Sequence, residues 1–280
     1  MNSQIRTIVE VAEEDFSHGA EVEVRGDEAK HLRKSLRVKV GEQLEVYNLC
    51  CQRFASGTVE SIEHNSIRLR LENIIPARVV DPKLVVFIGV PEPAVAEKVV
   101  SKAIELGVSK LIFFKGNSSQ GSFVKSIEKK SDRLEAIARS AFKQSKQVRL
   151  PPIYVTESLE SAVASHLHKG GYKIFLSTRK TKDMPNLLQI LSGEPQIEAS
   201  FFNNNSDLPA QYSLPKNQVE INSQDAENYL VVGPEGGMSE SEESFAQSRH
   251  FKSVTLGAGV LRVETAFTLA SGIILMGLRS

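Results

Sequence analysis

At Leu84 the sequence changes its period, and that change limits the kind of sheet this chain can build. Leu84 to Val90 is an unbroken apolar run, Ala94 to Leu106 carries apolar residues at Ala96, Val99, Val100, Ala103 and Ile104, and Val108 to Phe114 is apolar again. A short apolar run without alternation reads as a strand buried on both faces, whereas the three-and-four spacing between the runs is one face of a helix. Strand, helix, strand with short connections is the signature of a parallel α/β sheet. Gly107 stands where a helix C-cap belongs. The same patterns predict helices over Asp132 to Ser145 and Leu159 to Leu167, and buried strands at Lys173 to Leu176 and Tyr229 to Val232.

Before residue 74 the period is two. Stretches such as Gln43-Leu44-Glu45-Val46-Tyr47 and Ser66-Ile67-Arg68-Leu69-Arg70-Leu71 alternate between turn residues Gly41, Gly57 and Asn65. That pattern predicts a small β-barrel or sandwich with one solvated face. Pro76 and Asp81-Pro82 punctuate the chain as a linker. The expected organisation is therefore a β-domain over residues 1–74 and an α/β domain over 78–280, in keeping with a length of 280 residues at roughly 150 per domain. Residues 180–228, with Asn203-Asn204-Asn205, prolines and little periodicity, read as a partly irregular insertion.

Composition excludes several classes. Hydrophobic residues make up 41% and charged residues 24%, so the chain is expected to fold. The longest apolar-leaning run, Ala266 to Leu278, is 13 residues and is broken by Thr268, Ser271 and Gly272, short of the roughly 20 that a membrane span needs. No secretory signal opens the sequence. The two cysteines, Cys50 and Cys51, are adjacent, which argues against a disulfide framework or a cysteine metal site and favours the cytoplasm. His166-x-His168 on a helix cannot share a face, so no metal is expected.

The net charge is zero, with 34 basic and 34 acidic residues, but the charges are unevenly spread. Residues 25 to 39 hold six Lys/Arg against Asp27 and Glu28, and residues 125 to 149 hold eight against three acids. Between 220 and 264 eight acids face only Arg249, Lys252 and Arg262. This asymmetry points to one side that meets a polyanion and another with different chemistry. Whether the 129 to 149 charges meet that polyanion or form a solvated helix face stays open from the sequence.

Two C-terminal segments each follow a short apolar strand. Gly233-Pro234-Glu235-Gly236-Gly237 places three glycines where backbone can approach a ligand and a proline where the turn is fixed. Ser239-Glu-Ser-Glu242 then supplies a capping box for the next helix. The segment reads either as a tight strand-to-helix turn or, less well, as a phosphate loop, because Glu235 puts a negative charge into it and no Gly-Lys-Ser/Thr follows. Leu256-Gly257-Ala258-Gly259-Val260-Leu261-Arg262-Val263-Glu264-Thr265-Ala266 begins like a dinucleotide fingerprint. Arg262 stands where the third glycine belongs, however, and no second strand and acid follow before Ser280.

Taken together, GPEGG after a strand and LG-x-x-VLR-x-ETA opening the last helix resemble the ribosomal RNA small subunit methyltransferase E family, within the SPOUT superfamily. The resemblance extends to His31-Leu-Arg33-Lys34-x-Leu36-Arg37-x-x-x-Gly41, to Glu97-Lys98 through Lys102-x-x-Glu105-Leu-Gly107-Val108, and to Gln144-Ser145 with Pro151. The sequence departs from the family's usual residues at Gly259 (usually Arg), in Ser118-Ser-Gln-Gly121-Ser (usually containing Arg), at Lys143 (usually Glu) and at Gln147 (usually Arg).

The resemblance implies a PUA-like N-terminal barrel that binds RNA and a C-terminal SPOUT α/β domain with a trefoil knot, an exception to the rule against knots. It implies a homodimer that uses S-adenosylmethionine to methylate uracil N3 of one uridine of 16S rRNA in the small ribosomal subunit, position 1498 in standard rRNA numbering. Carried onto this sequence, the cofactor residues are Leu176, Ser177, Val232, Gly233, Gly236, Gly237, Leu256, Gly257, Val260, Leu261, Thr265 and Ala266. The RNA-facing residues are His31, Arg33, Lys34, Arg37 and Lys39. Arg262 at a helix start can offer its guanidinium to uracil oxygens, and Glu235 can accept the N3 proton, orient Arg262 or only shape its loop. Without the resemblance, Arg262 reads as a salt-bridge partner of Glu264 or Glu235. A non-catalytic RNA-binding or ribosome-assembly protein and a SPOUT enzyme acting on another RNA are the alternatives.

Overall fold

The computed structural model describes residues 8–11, 16–48, 53–76, 83–145, 147, 149–168, 170–179, 184–192, 226–257 and 259–278. The chain divides into two compact units, one of Met1–Val80 with Ala138–Leu150 and one of Asp81–Ile137 with Pro151–Ser280.

The first unit contains β1 (Ile8–Val11), β2 (Glu21–Arg25), α1 (Gly26–Lys34), β3 (Gln43–Asn48), β4 (Arg53–Ile62) and β5 (Ser66–Pro76). Its sheet runs β1-β3-β4-β5-β2, with β1 parallel to β3 and the other neighbours antiparallel. The period-two stretches do what they predict. In β2 Val22 and Val24 turn inward, in β5 Ile67, Leu69 and Leu71 do, and both meet Leu44 and Val46 of β3. Gly57 lets β4 cross this core, because a Cβ there would stand 2.6 Å from Val46 Cγ2. Pro76, expected in a linker, is instead the last residue of β5.

The basic stretch of residues 25–39 is only partly helical. α1 buries Ala29 and Leu32, carries Asp27 and Glu28 in its first turn and has His31, Arg33 and Lys34 in its last, the polarity a helix dipole favours. The helix stops at Lys34. Arg37 lies beyond it with φ 53°, so Arg33 and Arg37 do not form a helical four-residue pair.

The second unit holds β6 (Lys83–Gly89), α2 (Pro93–Leu106), β7 (Lys110–Phe114), α3 (Gly121–Lys129), the start of α4 (Ser131–Ser145), β8 (Ile153–Thr156), α5 (Leu159–His166), β9 (Lys173–Leu176), α6 (Leu187–Ser192), β10 (Glu227–Val232), α7 (Glu240–Ser248), β11 (Lys252–Val254) and α8 (Val263–Gly277). All its strands are parallel, in the order β11-β9-β10-β6-β7-β8. Leu84 to Ile88 are wholly buried, as the unbroken apolar run requires of a central strand. Gly107 ends α2 in the left-handed region, its N–H donating to the carbonyls of Ala103 and Ile104.

Three elements went unread in the sequence. β8 is a half-exposed edge strand of four residues with only the short apolar run Ile153-Tyr154-Val155, α3 has only Phe123, Val124 and Ile127 as apolar residues, and α6 is six residues long. α6 lies inside the segment expected to be irregular, and Asn186 beside it bridges to Thr255. Residues 193–225 of that segment lie outside the described residues.

The basic run of residues 125–149 is partly consumed within the protein. In the second unit Arg133 grips Glu97, with one bond of 2.8 Å, and holds that carboxyl below the usual carboxylate range. In the first unit Arg139 pairs with Glu10, Lys143 pairs with Glu28 at 2.8 Å, and Phe142 packs on Tyr47 with ring centroids 4.8 Å apart.

Candidate active site

The site forms where β9, β10 and β11 end. In a parallel sheet, crevices open at the carboxyl ends of strands, and here Leu176, Val232 and Val254 bring three loops together. The first loop is short: Ser177 N donates to Val254 O, and Ser177 Oγ accepts from Arg179 N at 3.1 Å.

The second loop, Gly233 to Ser239, is held by its own packing. Pro234 is wedged over the ends of β6 and β7, so that a Cβ on Gly89 would fall 2.4 Å from Pro234 Cδ and one on Gly116 3.2 Å from Pro234 Cγ. Gly237 takes φ 76° to close a turn onto Pro234 O. Ser239 and Glu242 form the expected capping box. Glu242, almost fully buried, also accepts from Asn117 N at 2.9 Å and so ties the loop to the 116–119 turn. In Gly236 the need for glycine comes from the protein itself, because a Cβ there would lie 2.8 Å from Ser118 Cβ.

The third loop, from Thr255 to Arg262, turns at Gly257 with Thr255 Oγ1 donating to Gly257 O at 3.0 Å, and ends with Arg262 as the N-cap of α8. Between the loops and the N-termini of α2 and α8 lies a cavity of about 800 Å³. Its walls include Leu176, Ser177, Val232, Gly233, Glu235, Gly236, Gly237, Leu256, Val260, Leu261, Arg262 and Ala266, twelve residues singled out from the sequence. Gly257 and Thr265 are not among the walls; both are exposed. The sequence reading missed Glu92, Lys98, Thr178, Met238, Thr255 and Glu243. Lys98 lies in a motif that carried the resemblance but was given no site role, and the others come from the start of α2 and from loop ends, outside the segments singled out as binding.

Several of the charged side chains around the cavity have partners, and Arg262 has none among the described residues. Glu235 Oε1 accepts from Glu92 N at 2.8 Å, capping α2. Glu264 faces Lys98 at 3.5 Å. Glu243 is pushed up by burial, against the pull of Arg179 at 3.7 Å. Arg262 is exposed and forms no ion pair with a described residue. The salt bridges that the sequence alone suggested for it, to Glu264 or Glu235, are absent among the described residues.

A family model described as an RNA methyltransferase domain matches residues 80–275, and one described as an RNA methyltransferase PUA domain matches residues 24–72. This chain belongs to the ribosomal RNA small subunit methyltransferase E family. Among proteins of that name it is 25% identical to one from Mycobacterium bovis over 91% of this chain and 86% of the other. It is 23% identical to one from Bacillus subtilis, over 93% and 92%. The fold matches the crystal structure of a ribosomal RNA small subunit methyltransferase E from Neisseria gonorrhoeae bound to S-adenosyl methionine (TM-score 0.71, 19% identity, 96% of this chain and 97% of that one). It also matches a probable rRNA-methyltransferase from Porphyromonas gingivalis (TM-score 0.72, 20% identity, 98% of each chain). The architecture is thus a PUA-domain sheet followed by the parallel α/β sheet of an RNA methyltransferase domain.

As in any RNA methyltransferase, an RNA-facing surface is required besides the cavity. Of the five candidates in the first unit, His31, Lys34, Arg37 and Lys39 are exposed and Arg33 is half-buried. None of their side chains forms an ion pair with a described residue, in contrast to Arg133, Arg139 and Lys143. Among the described residues no group of side chains fits a metal ion, and no helix is long and apolar enough to cross a membrane.

Proposed function

We propose that this family member transfers a methyl group from S-adenosylmethionine to N3 of a uridine in 16S rRNA. The observation that carries the reading is the cavity itself, where three loops, two of them rich in glycine, meet the Arg262 guanidinium, which forms no ion pair with a described residue. The cavity suits the cofactor. Its volume of about 800 Å³ falls within the 300–1,000 Å³ common for such ligands, Leu176, Val232, Leu256 and Val260 give it apolar walls, and the loops expose backbone that can read an adenine edge. Glu92, Glu243 and Glu264 supply negative charge around a cationic ligand, and the two helix N-termini favour its carboxylate. Bound there, the cofactor supplies an electrophilic methyl on a positively charged sulfur.

The protein's own part is to handle the weakly acidic N3 proton of uracil. Arg262, free at the N-terminus of α8, stabilises negative charge that develops on the uracil oxygens. Glu235 keeps Oε1 on the α2 backbone and leaves Oε2 unpartnered among the described residues, available to accept the proton. The His31 to Lys39 stretch holds the RNA backbone by charge. The chain works as a cytoplasmic homodimer: Leu269 and Met276 on α8 are 42% and 74% exposed in the single chain, an apolar strip suited to a second copy. A single-chain mass in light scattering at micromolar concentration would overturn the dimer.

The decisive experiment is mass spectrometry of nucleosides from 16S rRNA and small subunits incubated with the protein and labelled cofactor. The expected product is 3-methyluridine at one position. A different methylated nucleoside would reassign the substrate atom, and none at all would favour a non-catalytic RNA-binding role.

A further inference from the structure

We propose that a second, smaller cavity beside the first receives the target uracil, with Phe123 stacking on the ring and Gln120 and Ser118 binding its oxygens. This inference rests on the methyl-transfer reading above. The cavity measures about 280 Å³ and is lined by Glu92, Ser118, Gln120, Phe123, Glu235 and Gly236. Glu92, Glu235 and Gly236 line the larger cavity as well, so the two share a wall. A base in the smaller cavity therefore adjoins the methyl donor in the larger, with Glu235 at the boundary.

Its size and chemistry fit a single pyrimidine. At about 280 Å³ it lies just under the range of roughly 300–1,000 Å³ typical of larger ligands. Enzymes that modify a base read the extruded ring by stacking and by hydrogen bonds to its edge. Phe123, half-buried in the first turn of α3, offers the ring face. Gln120 is the N-cap of that helix, yet its side chain makes no capping bond. Gln120 and Ser118 are both exposed, and neither side chain bonds a described residue. An amide N–H and a hydroxyl are the donors that uracil O2 and O4 need. N3 must stay uncovered to react, and the unpartnered Oε2 of Glu235 suits its N–H. Cytosine presents a lone pair at the same position, which a carboxylate repels, so the arrangement selects uracil on chemical grounds.

The test uses the full chain, tritiated S-adenosylmethionine and a small-subunit rRNA fragment, with cofactor affinity measured by calorimetry on each protein. Phe123→Leu keeps apolar bulk but loses the aromatic face; the expected loss is about fivefold or more in kcat/KM for RNA, the range set by base stacking, with Phe123→Tyr restoring most of it. Gln120→Ala is expected to lower the same quantity by about threefold to tenfold. Cofactor affinity is expected to stay within about twofold, since neither residue lines the larger cavity. If wild type methylates the RNA and both variants match it, the pocket assignment fails alone. If cofactor affinity falls in step with the rate, the residues shape the donor cavity and the assignment fails. If wild type transfers no methyl to RNA, the activity reading itself fails and takes the pocket with it.

Discussion

The wedge of Pro234 over β6 makes Gly89→Ala the most informative single change. The added Cβ would stand 2.4 Å from Pro234 Cδ and 2.6 Å from Pro234 N. Carbon atoms at optimal contact are about 3.5 Å or more apart, so about 1 Å has to be found. Neither partner gives way easily. Gly89 is registered against Phe114 of β7, and the proline ring is rigid. The 233–237 backbone must therefore lift, and overpacking of this kind costs about 1–3 kcal/mol. For a unit of this size that corresponds to roughly 2–4 °C in Tm for each kcal/mol. Because the same backbone lines the cofactor cavity, affinity for S-adenosylmethionine should fall together with Tm. Gly121→Ala serves as the control, since a Cβ there meets nothing within 4 Å. Scanning calorimetry and cofactor titration on both variants decide the matter. An unchanged Tm and affinity in Gly89→Ala would refute the wedge.

The same reasoning extends to four other sites. Glu235→Ala should cost about 1 kcal/mol in urea denaturation through loss of the α2 cap, while Glu235→Gln should keep most of that stability. If the carboxylate takes the N3 proton, both lose about a hundredfold or more in single-turnover rate, and a fully active Glu235→Gln removes that role. Arg262→Ala should depress turnover far more than cofactor affinity, with Arg262→Lys recovering only part because an ammonium lacks the planar fork; a raised cofactor Kd at normal single-turnover rate would make it a binding residue. Arg33→Ala combined with Arg37→Ala should flatten the slope of log RNA affinity against log salt by about one unit per lost phosphate contact, and equal slopes would place the contacts elsewhere. Burial, with Lys110 nearby, pushes the His166 imidazole down. The folded state therefore resists protonation, and its stability contribution, complete above the ordinary imidazole value of about 6.5, declines as pH falls below it. His166→Phe should remove that decline between pH of about 7.5 and about 5.5 in urea midpoints while keeping the ring on Tyr154; an unaltered decline would assign it to other groups.

How much of this was legible in the sequence depended on whether a signal was local. The buried strands from Leu84, the αL cap at Gly107 and the capping box at Ser239 are written in adjacent residues, and the structure places them within a residue or two of expectation. The twelve cavity residues were likewise legible, because they lie in two motifs and at one strand end. Elements without a full apolar face, β8 and α6 above all, were not. Charge runs were ambiguous in a different way. The clusters at 25–39 and 125–149 look alike as text, yet Arg133, Arg139 and Lys143 find carboxylates at Glu97, Glu10 and Glu28, up to 129 positions away in sequence. No spacing rule anticipates those pairs. Glu235 shows the same limit, since its partner is the backbone of Glu92, 143 positions earlier.

These long-range contacts also explain how a site made mostly of loop backbone can be specific. A ligand read by N–H and C=O groups is held only as well as those groups are fixed before it arrives. Loops are ordinarily the mobile part of a fold. Here the Gly233 to Ser239 loop is pinned at three independent points: Pro234 against Gly89 and Gly116, Glu235 on the α2 N-terminus, and Glu242 on Asn117 and Ser239. Glu242 bears most of this, because it is 3% exposed and its removal leaves the N–H groups of Asn117 and Ser239 without their acceptor. In the proposed reading the loop glycines give a ligand room to approach, and Gly236 is required by its neighbour as well, because a Cβ there would stand 2.8 Å from Ser118 Cβ. It follows that GPEGG is a rigid element of the second unit, continuous with the ends of its central strands, and that side chains which never touch the cofactor set how tightly it is held.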